Sequence, residues 1–532
     1  MFKKVIAICL GTAMALSVCS CGEQSSGQPT TTAAQTTIQT TTAIPKPNDI
    51  GNMKFSTAFH KPKLGAVVYN ITLDNLENDY RMVALKCLQG LVARNDSAQI
   101  YITKDENDLF WINRLRDEYG VITKDLSYNE VFEKFAKQIK SIVTYNPENK
   151  YETALAIYNA SKNDAIPVPT TRVAEYTTLI DGVTVNATSK TEVPSCQVVV
   201  DEQIKTANGA YVALLNEKSA FIDYAYAVQA PIVYVDSKNS ADTESLKKLL
   251  GSDKFDRPAV IFAEDESLVS VASENGFGVL NVKNFSNSSY FSSYNCTNVS
   301  NNAVKGNARY SEEVSKYVTI EIVQDANESV NSNLSFVFKN NRRGNTPISV
   351  SINPAVYELA PTVAAWYTAG RRAATSLISS NVGYMSVDDT KMKEDYYKIF
   401  CERSKAFIGG FGFSVAIGKP NEKTEKLISE QIGIKNMLSD NGKITVVNVD
   451  SIYSFNNFIL PESKTPFYCI RIKASDLSTS TFSQLDDLVL KFQDKNDGIE
   501  FVVCEDLFAT MEEWEQATTT APTTAQSTTV KQ

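Results

Sequence analysis

Six acidic side chains follow apolar runs of β-strand length in the second half of the chain. Two carboxyl groups flanking a scissile bond can supply a general acid and a general base or nucleophile. Because the loops after parallel strands meet at one edge of a sheet, acids in these positions are candidates for such a pair. The six are Asp325, Glu328, Glu358, Asp388, Asp389 and Asp450.

Two polar loops lie among these acids and carry groups suited to ligand binding. The apolar run that ends at Ile352 is followed by Asn353 and Pro354, and a second run is followed by Asn381, Val382, Gly383 and Tyr384. We predict that the ligand-contacting residues of these loops are Asn353, Asn381, Gly383 and Tyr384.

The elements that must position these residues alternate between apolar runs and helical patterns. In the first half, strands are predicted at residues 100–102, 141–145, 166–168, 198–200, 231–236 and 259–264. Helices are predicted from Asn75 to about Arg94 and over 107–119, 131–140, 151–161 and 211–227. This alternation is typical of an α/β domain with a mostly parallel sheet.

The second half adds further strand-like runs, whose number fits a barrel-like or a doubly wound sheet. They begin at Tyr317, Ser335, Pro347, Ala406, Lys443, Phe467 and Gly498. The Ala406 run includes Gly409 to Phe413, a glycine-rich stretch that we interpret as a closely packed strand. One helix is predicted from its apolar spacing at Val356, Leu359, Val363 and Trp366.

The chain resembles the GxGYxYP family of proteins, whose members are thought to be glycoside hydrolases. Gly383 and Tyr384 match the fixed letters of the loop that names the family, and Asn381, Ser386 and Val387 depart from it. The stretches 67–103, 139–168 and 256–280 are similar to the family's amino-terminal region in spacing and apolar pattern. The resemblance covers most of residues 64 to 510, and it favours a distorted (β/α) barrel for the second domain.

The resemblance also matches two of the acids, Asp325 and Glu328, to a family motif, whereas Glu358 and Asp388 are candidates from their positions after strands. The turn after Tyr317–Val323 falls where the family has an acidic SDGDN-type turn, so Asp325 stands for its first Asp and Glu328 for its Asn. Asn327 replaces the second Asp, which removes one ionisable group. The leading catalytic carboxyls are Asp325 and Glu358, with Glu328 and Asp388 as substitutes.

The first residues have the layout of a bacterial secretory signal. Lys3 and Lys4 precede an apolar segment from Val5 to Val18, and small residues beside cysteine follow. Because Ser20 precedes Cys21, we predict that Cys21 is the lipidated residue, with Cys19 as the alternative. The protein is therefore expected to be lipid-anchored on the extracellular face of the cell membrane.

Composition narrows the remaining classes of partner. A formal net charge of −9 argues against nucleic acid, since phosphate binding needs a basic surface. His60 is the single histidine and has no cysteine or histidine cluster around it, so we predict no metal and no cofactor. Cys87, Cys469 and Cys504 lie in apolar patterns typical of free buried thiols. The sequence also allows one disulfide bond.

We therefore predict five segments. Residues 1–21 form a lipoprotein signal, 22–49 a Thr-rich disordered tether, 50–300 an amino-terminal α/β region, 301–514 the barrel-like domain, and 515–532 a second Thr-rich disordered tail. The function expected from the resemblance is hydrolysis of a polysaccharide or oligosaccharide at the cell surface. The alternative is a surface protein of the same fold that binds glycan without cleaving it.

Overall fold

The computed structural model describes residues 62–72, 80–187, 192–215, 221–263, 266–282, 285–294, 305–323, 334–339, 345–388, 391–474, 477 and 483–520. Several predictions lie outside these residues. They concern the signal, Cys21, the first Thr-rich segment, residues 521–532 of the second, Asn75 as a helix start, and the acids Asp325, Glu328 and Asp389. Residues 515–520, which were predicted to begin the disordered tail, are helical instead.

The first half contains three small parallel sheets, each with its first strand between its second and third. The first sheet joins β1 (Leu64–Thr72), β2 (Ala98–Thr103) and β3 (Ile122–Asp125), with helices α1 (Tyr80–Asn95) and α2 (Glu106–Tyr119). The second joins β4 (Ser141–Tyr145), β5 (Ala165–Pro169) and β6 (Thr184–Ala187), with α3 (Tyr128–Phe135), α4 (Lys150–Lys162) and α5 (Val173–Leu179).

The third sheet has a fourth strand at its edge. It joins β7 (Gly209–Leu214), β8 (Ile232–Val233), β9 (Phe255–Ala263) and β10 (Phe277–Asn281) in the order β10-β9-β7-β8. Its helices are α6 (Cys196–Gln203), α7 (Ile222–Ala227), α8 (Ser240–Leu250), α9 (Val269–Glu274) and α10 (Ser288–Phe291). Three successive parallel units confirm the predicted α/β class.

The second half is built on one larger parallel sheet. Its strands are β11 (Lys316–Val323), β12 (Ile348–Ile352), β13 (Thr375–Ser379), β14 (Val415–Ile417), β15 (Asn436–Leu438), β16 (Thr445–Val449), β17 (Phe467–Lys473) and β18 (Ile499–Phe501). Its helices are α11 (Leu334–Lys339), α12 (Val356–Leu359), α13 (Pro361–Ala369), α14 (Glu394–Phe411), α15 (Glu422–Ile432), α16 (Leu485–Lys495) and α17 (Cys504–Thr520).

The strand order of this sheet is that of an opened (β/α) barrel. It runs β15-β14-β13-β12-β11-β17-β16, and β18 pairs with the first residues of β11. Read around a circle, β11 to β17 follow one another in chain order, with the break between β15 and β16. The sheet is curled, so the predicted distorted barrel-like domain is confirmed.

The two faces of the curled sheet have different partners. Ile320 and Ile470 lie on the face that packs with residues of the connecting helices, such as Phe492 of α16. Tyr317 and Cys469 lie on the other face, where they pack with the first turns of α17. In a (β/α) barrel the connecting helices lie outside, so the face that meets α17 corresponds to the barrel interior.

Five local predictions were wrong. Residues 198–200 belong to α6, whose buried residues Cys196, Val199, Val200 and Gln203 have helical spacing. The run at Ser335 lies in α11, residues 211–214 are strand β7, and α14 extends to Phe411 through the glycine-rich stretch. The single helix predicted over 356–366 is two helices, because Ala360 has a non-helical backbone and Pro361, which lacks a backbone N–H, starts α13.

Candidate active site

Two of the predicted site residues are brought together by neighbouring strands. Glu358 lies on α12 after β12, and Tyr384 lies in the loop after β13. The Tyr384 hydroxyl donates a hydrogen bond to Oε2 of Glu358, and both side chains are buried. Burial and the Glu358 carboxylate raise the pKa of Tyr384 well above its ordinary value.

The Tyr384 loop is packed beneath the third sheet of the first half. A Cβ atom added to Gly278 of β10 would lie 2.9 Å from the Cβ and from the carbonyl oxygen of Tyr384. Tyr384 also packs against Phe400 of α14, with ring centroids 5.9 Å apart. Its predicted contact with substrate is not tested by this arrangement and stays a prediction.

The other predicted loop residues lie at the same edge of the sheet. Asn353 accepts a hydrogen bond from the Ala355 amide at 2.9 Å and so shapes the turn into α12. Asn381 is half-buried, and its Oδ1 has no hydrogen-bond partner among the described residues. Gly383 has a φ of 86°, a left-handed conformation that glycine adopts without strain. Their binding roles stay predictions.

The two remaining acids that the structure describes are solvent-exposed. Asp388 accepts a hydrogen bond from the backbone amide of Lys419, which ties the loop after β13 to the loop after β14. Asp450 follows β16 directly and is exposed. The carboxyl pairs that include Asp325 or Glu328 stay predictions, because these two residues lie outside the described ranges.

A row of polar side chains that sequence reasoning missed crosses the interior face of the sheet. Backbone pairing places one residue from each of five neighbouring strands in a single register. Residues paired in this way point to the same side of a parallel sheet. From β16 to β13, the row is Asn448, Arg471, Glu321, Ser349 and Ser376.

The centre of this polar row is an ion pair. Nε of Arg471 lies 2.8 Å from Oε2 of Glu321, and the glutamate side chain is 0% exposed while the arginine side chain is 25% exposed. Burial raises the pKa of Glu321, and the Arg471 guanidinium opposes this shift. The Cys469 thiol also approaches Glu321 Oε2 at 3.6 Å. A carboxyl with a burial-shifted pKa next to a fixed cation is typical of functional sites as well as of structural ion pairs.

Hydroxyl groups connect the row to the start of α17. Ser349 Oγ accepts hydrogen bonds from the Cys504 amide at 2.8 Å and from the Ser376 hydroxyl at 3.0 Å, and it lies 3.2 Å from Thr319 Oγ1. Glu505, the next residue of α17, is 3% exposed. Burial raises its pKa, against the effect of the Ser376 hydroxyl.

The signal for this site was present in the sequence. Glu321 is the single acid in the apolar run YVTIEIV, and Arg471 is the single arginine in the run FYCIRI. Opposite charges inside two otherwise apolar strands predict a buried pair if the strands are neighbours, because a lone buried charge is costly. Sequence alone did not show that β11 and β17 pair.

The cysteine and acidic side chains of the described ranges are the groups that bear on metal and thiol chemistry. Among those residues, no group of three or more His, Cys, Asp and Glu side chains is arranged to hold a metal ion. Five cysteines there are free and buried, which confirms the prediction for Cys87, Cys469 and Cys504. Burial raises the pKa of each of these three thiols.

These features define an α/β protein in which three small parallel sheets precede an opened (β/α) barrel with a charged interior row. The family described as GxGYxYP_N 1st domain matches residues 67–137, which include most of β1, all of β2 and β3, and α1 to α3. This match agrees with the resemblance found in the sequence. No curated protein matches the chain.

A solved structure shares the fold along most of the chain. It is a protein from Bacteroides thetaiotaomicron VPI-5482 that carries the provisional name of a hydrolase, with a TM-score of 0.69 and 17% sequence identity. The alignment covers 86% of this chain and 96% of that chain. The amino-terminal domain of trehalose-6-phosphate phosphatase from Candida albicans aligns over 87% of this chain and 99% of its own at 10% identity, but its TM-score of 0.14 carries no argument.

No helix within the described ranges combines the length and the apolar character that crossing a membrane requires.

Proposed function

We propose that this protein is a hydrolase that cleaves glycosidic bonds, with its reaction centre in the barrel interior at the carboxyl half of β11. The observation that carries the proposal is the Glu321–Arg471 pair, a carboxyl and a guanidinium held 2.8 Å apart on the interior face. The shared fold of the Bacteroides protein and the family match at residues 67–137 support the hydrolase class.

The proposed roles follow from the environment of each carboxyl. Burial raises the pKa of Glu321, which is the direction that a proton donor to the leaving oxygen requires. Asp325 follows β11 by two residues in the sequence and is proposed as the second carboxyl, the nucleophile or base. Arg471 positions Glu321 and balances charge as the donor loses its proton.

The proposed substrate is a polysaccharide or oligosaccharide outside the cell. The secretory signal pattern and Cys21 support a lipid anchor, and the Thr-rich stretch after it supports a tether between membrane and body. Asn353 and Asn381, whose amides can bond to sugar hydroxyls, are the proposed substrate contacts at the carboxyl ends of β12 and β13.

A second candidate, glycan binding without turnover, is favoured by a specific observation. Glu321 is fully enclosed and paired with Arg471, and Glu358 is buried and bonded to Tyr384. Carboxyls held in this way serve stability as readily as catalysis. In this second candidate function, the protein binds sugar through the same contacts, and no carboxyl transfers a proton.

The test is a panel of polysaccharides incubated with the full chain in mild detergent, with released reducing ends and binding both measured. The variants are Glu321→Gln and Asp325→Asn, and the matched control is Glu175→Gln, a half-buried carboxyl of the first half that is paired with Arg81. We expect release by the wild type and the control, and loss of at least a hundredfold in the two variants. Binding without release by the wild type would replace this proposal with the second candidate.

A further inference from the structure

A groove separate from the barrel interior lies between α14 and α15. Its volume is about 410 Å³, which is within the range of small-ligand sites. Met392, Tyr397 and Leu427 form its apolar part, and polar side chains from both helices surround them. The groove is on the side of the sheet where the connecting helices lie, so it does not depend on the polar row.

Three lysines line this groove, and two of them share one carboxylate. The ammonium groups of Lys398 and Lys423 lie 2.9 Å and 2.5 Å from the two oxygens of Glu394. These two lysines lower the pKa of Glu394 to about 2. Lys426 contributes a third ammonium, 3.9 Å from Glu430. The positive charge of the groove therefore exceeds its negative charge by one, in a chain whose net charge is −9.

The contacts that hold these lysines are weak enough for a ligand to replace or extend. The side chains of Lys423 and Lys426 are 75% and 74% exposed. Ion pairs between exposed groups contribute little to stability. Each ammonium has three N–H donors, and an ion pair with Glu394 occupies one of them. Lys423 therefore keeps donors for a second anion, and Lys426, three residues further along α15, lies on the same face of that helix.

We propose that the α14–α15 groove binds an acidic sugar residue of a glycan, with its carboxylate held by Lys423 and Lys426 and its ring against the apolar part. The cavity volume supports a ligand of one or two sugar rings. The three ammonium groups supply the charge complementarity, and Asn421 and Thr424 line the groove as partners for sugar hydroxyls. This site lies outside the proposed catalytic region and its occupation requires no hydrolysis.

The experiment measures binding of a defined trimer of galacturonic acid to the full chain in mild detergent by titration calorimetry. A neutral galactose trimer and inorganic sulfate are titrated in parallel. The test variant is Lys423→Gln with Lys426→Gln, and the matched control is Lys124→Gln with Lys137→Gln, two exposed lysines of the first half. Thermal unfolding of each variant verifies that it is folded.

We expect the acidic trimer to bind at least tenfold more tightly than the neutral one, and the test variant to weaken this binding roughly tenfold. Glu394→Gln should tighten it, because the competing carboxylate is removed from Lys398 and Lys423. Raised salt should weaken it by screening. Equal binding of the two trimers, no binding of the acidic trimer, or an unaffected test variant would overturn the proposal. Sulfate that competes fully with the trimer would show a small-anion site and would overturn the assignment to a sugar.

Discussion

Tyr384 and Glu358, which follow two neighbouring strands of the curled sheet, are joined by a hydrogen bond in a buried position. A hydrogen bond to a charged group contributes roughly 1.5 to 3 kcal/mol. We therefore expect Tyr384→Phe to lower the free energy of unfolding by that amount in urea titrations. The control is Tyr453→Phe, because Tyr453 is 48% exposed. A loss for Tyr384→Phe no larger than that of the control would contradict this reading.

The contact between the first half and the Tyr384 loop depends on the absence of a side chain at Gly278. An added Cβ would lie 2.9 Å from Tyr384 Cβ and 2.9 Å from Phe400 Cζ, closer than packed carbon atoms allow. Gly278→Ala is expected to cost about 1 to 3 kcal/mol of stability, and Gly278→Ser more. Urea unfolding measures both losses, and a neutral alanine variant would show that the loop moves away freely.

Because Glu321 and Arg471 form a buried pair, we predict that the stability losses of their single variants are strongly non-additive. Arg471→Met alone leaves Glu321 buried without its cation, which typically costs 3 to 5 kcal/mol. Adding Glu321→Leu removes the isolated charge, so the double variant should be more stable than Arg471→Met. A double-mutant cycle in urea gives the coupling energy. Single-variant losses that simply add would mean that the two side chains do not act as a pair.

Asp108 predicts a pH dependence of stability in the first half. Burial raises the pKa of Asp108 from 3.8 to about 6 in the folded protein. The folded state therefore binds this proton more tightly than the unfolded state, so this group's contribution to stability falls as pH rises from about 4 to 6 and is constant above. The difference corresponds to roughly 3 kcal/mol.

The measurement compares wild type and Asp108→Asn in urea at several pH values between 4 and 7.5. The stability difference between them should shift by up to about 3 kcal/mol across this window, in favour of the wild type at the acid end. Asp117→Asn is the control, since Asp117 is an exposed residue of the same helix. Parallel pH curves for wild type and Asp108→Asn would refute the assignment.

Local sequence patterns determined most of the elements that have a clear period. The helices α2 and α4 and the strands β4, β11 and β17 were predicted from apolar spacing, because that spacing directly reflects which side of an element is buried. The errors fell on short apolar runs such as 198–200 and 335–338, where strand and helix patterns overlap. Pro361 indicates a helix start in the sequence itself, and it divides the predicted helix in two.

The sequence by itself determined the α/β class, the acid at the centre of β11 and the arginine in β17, because these depend on residue type and local spacing. Only the tertiary structure decided that β11 and β17 are neighbours, that Asn448, Arg471, Glu321, Ser349 and Ser376 share one register, and that Tyr384 is covered by β10. Strand order joins residues about 150 positions apart, and no local pattern encodes which distant strand will bury a given charge. The candidate site is therefore defined by which strands pair in the sheet and not by a sequence motif.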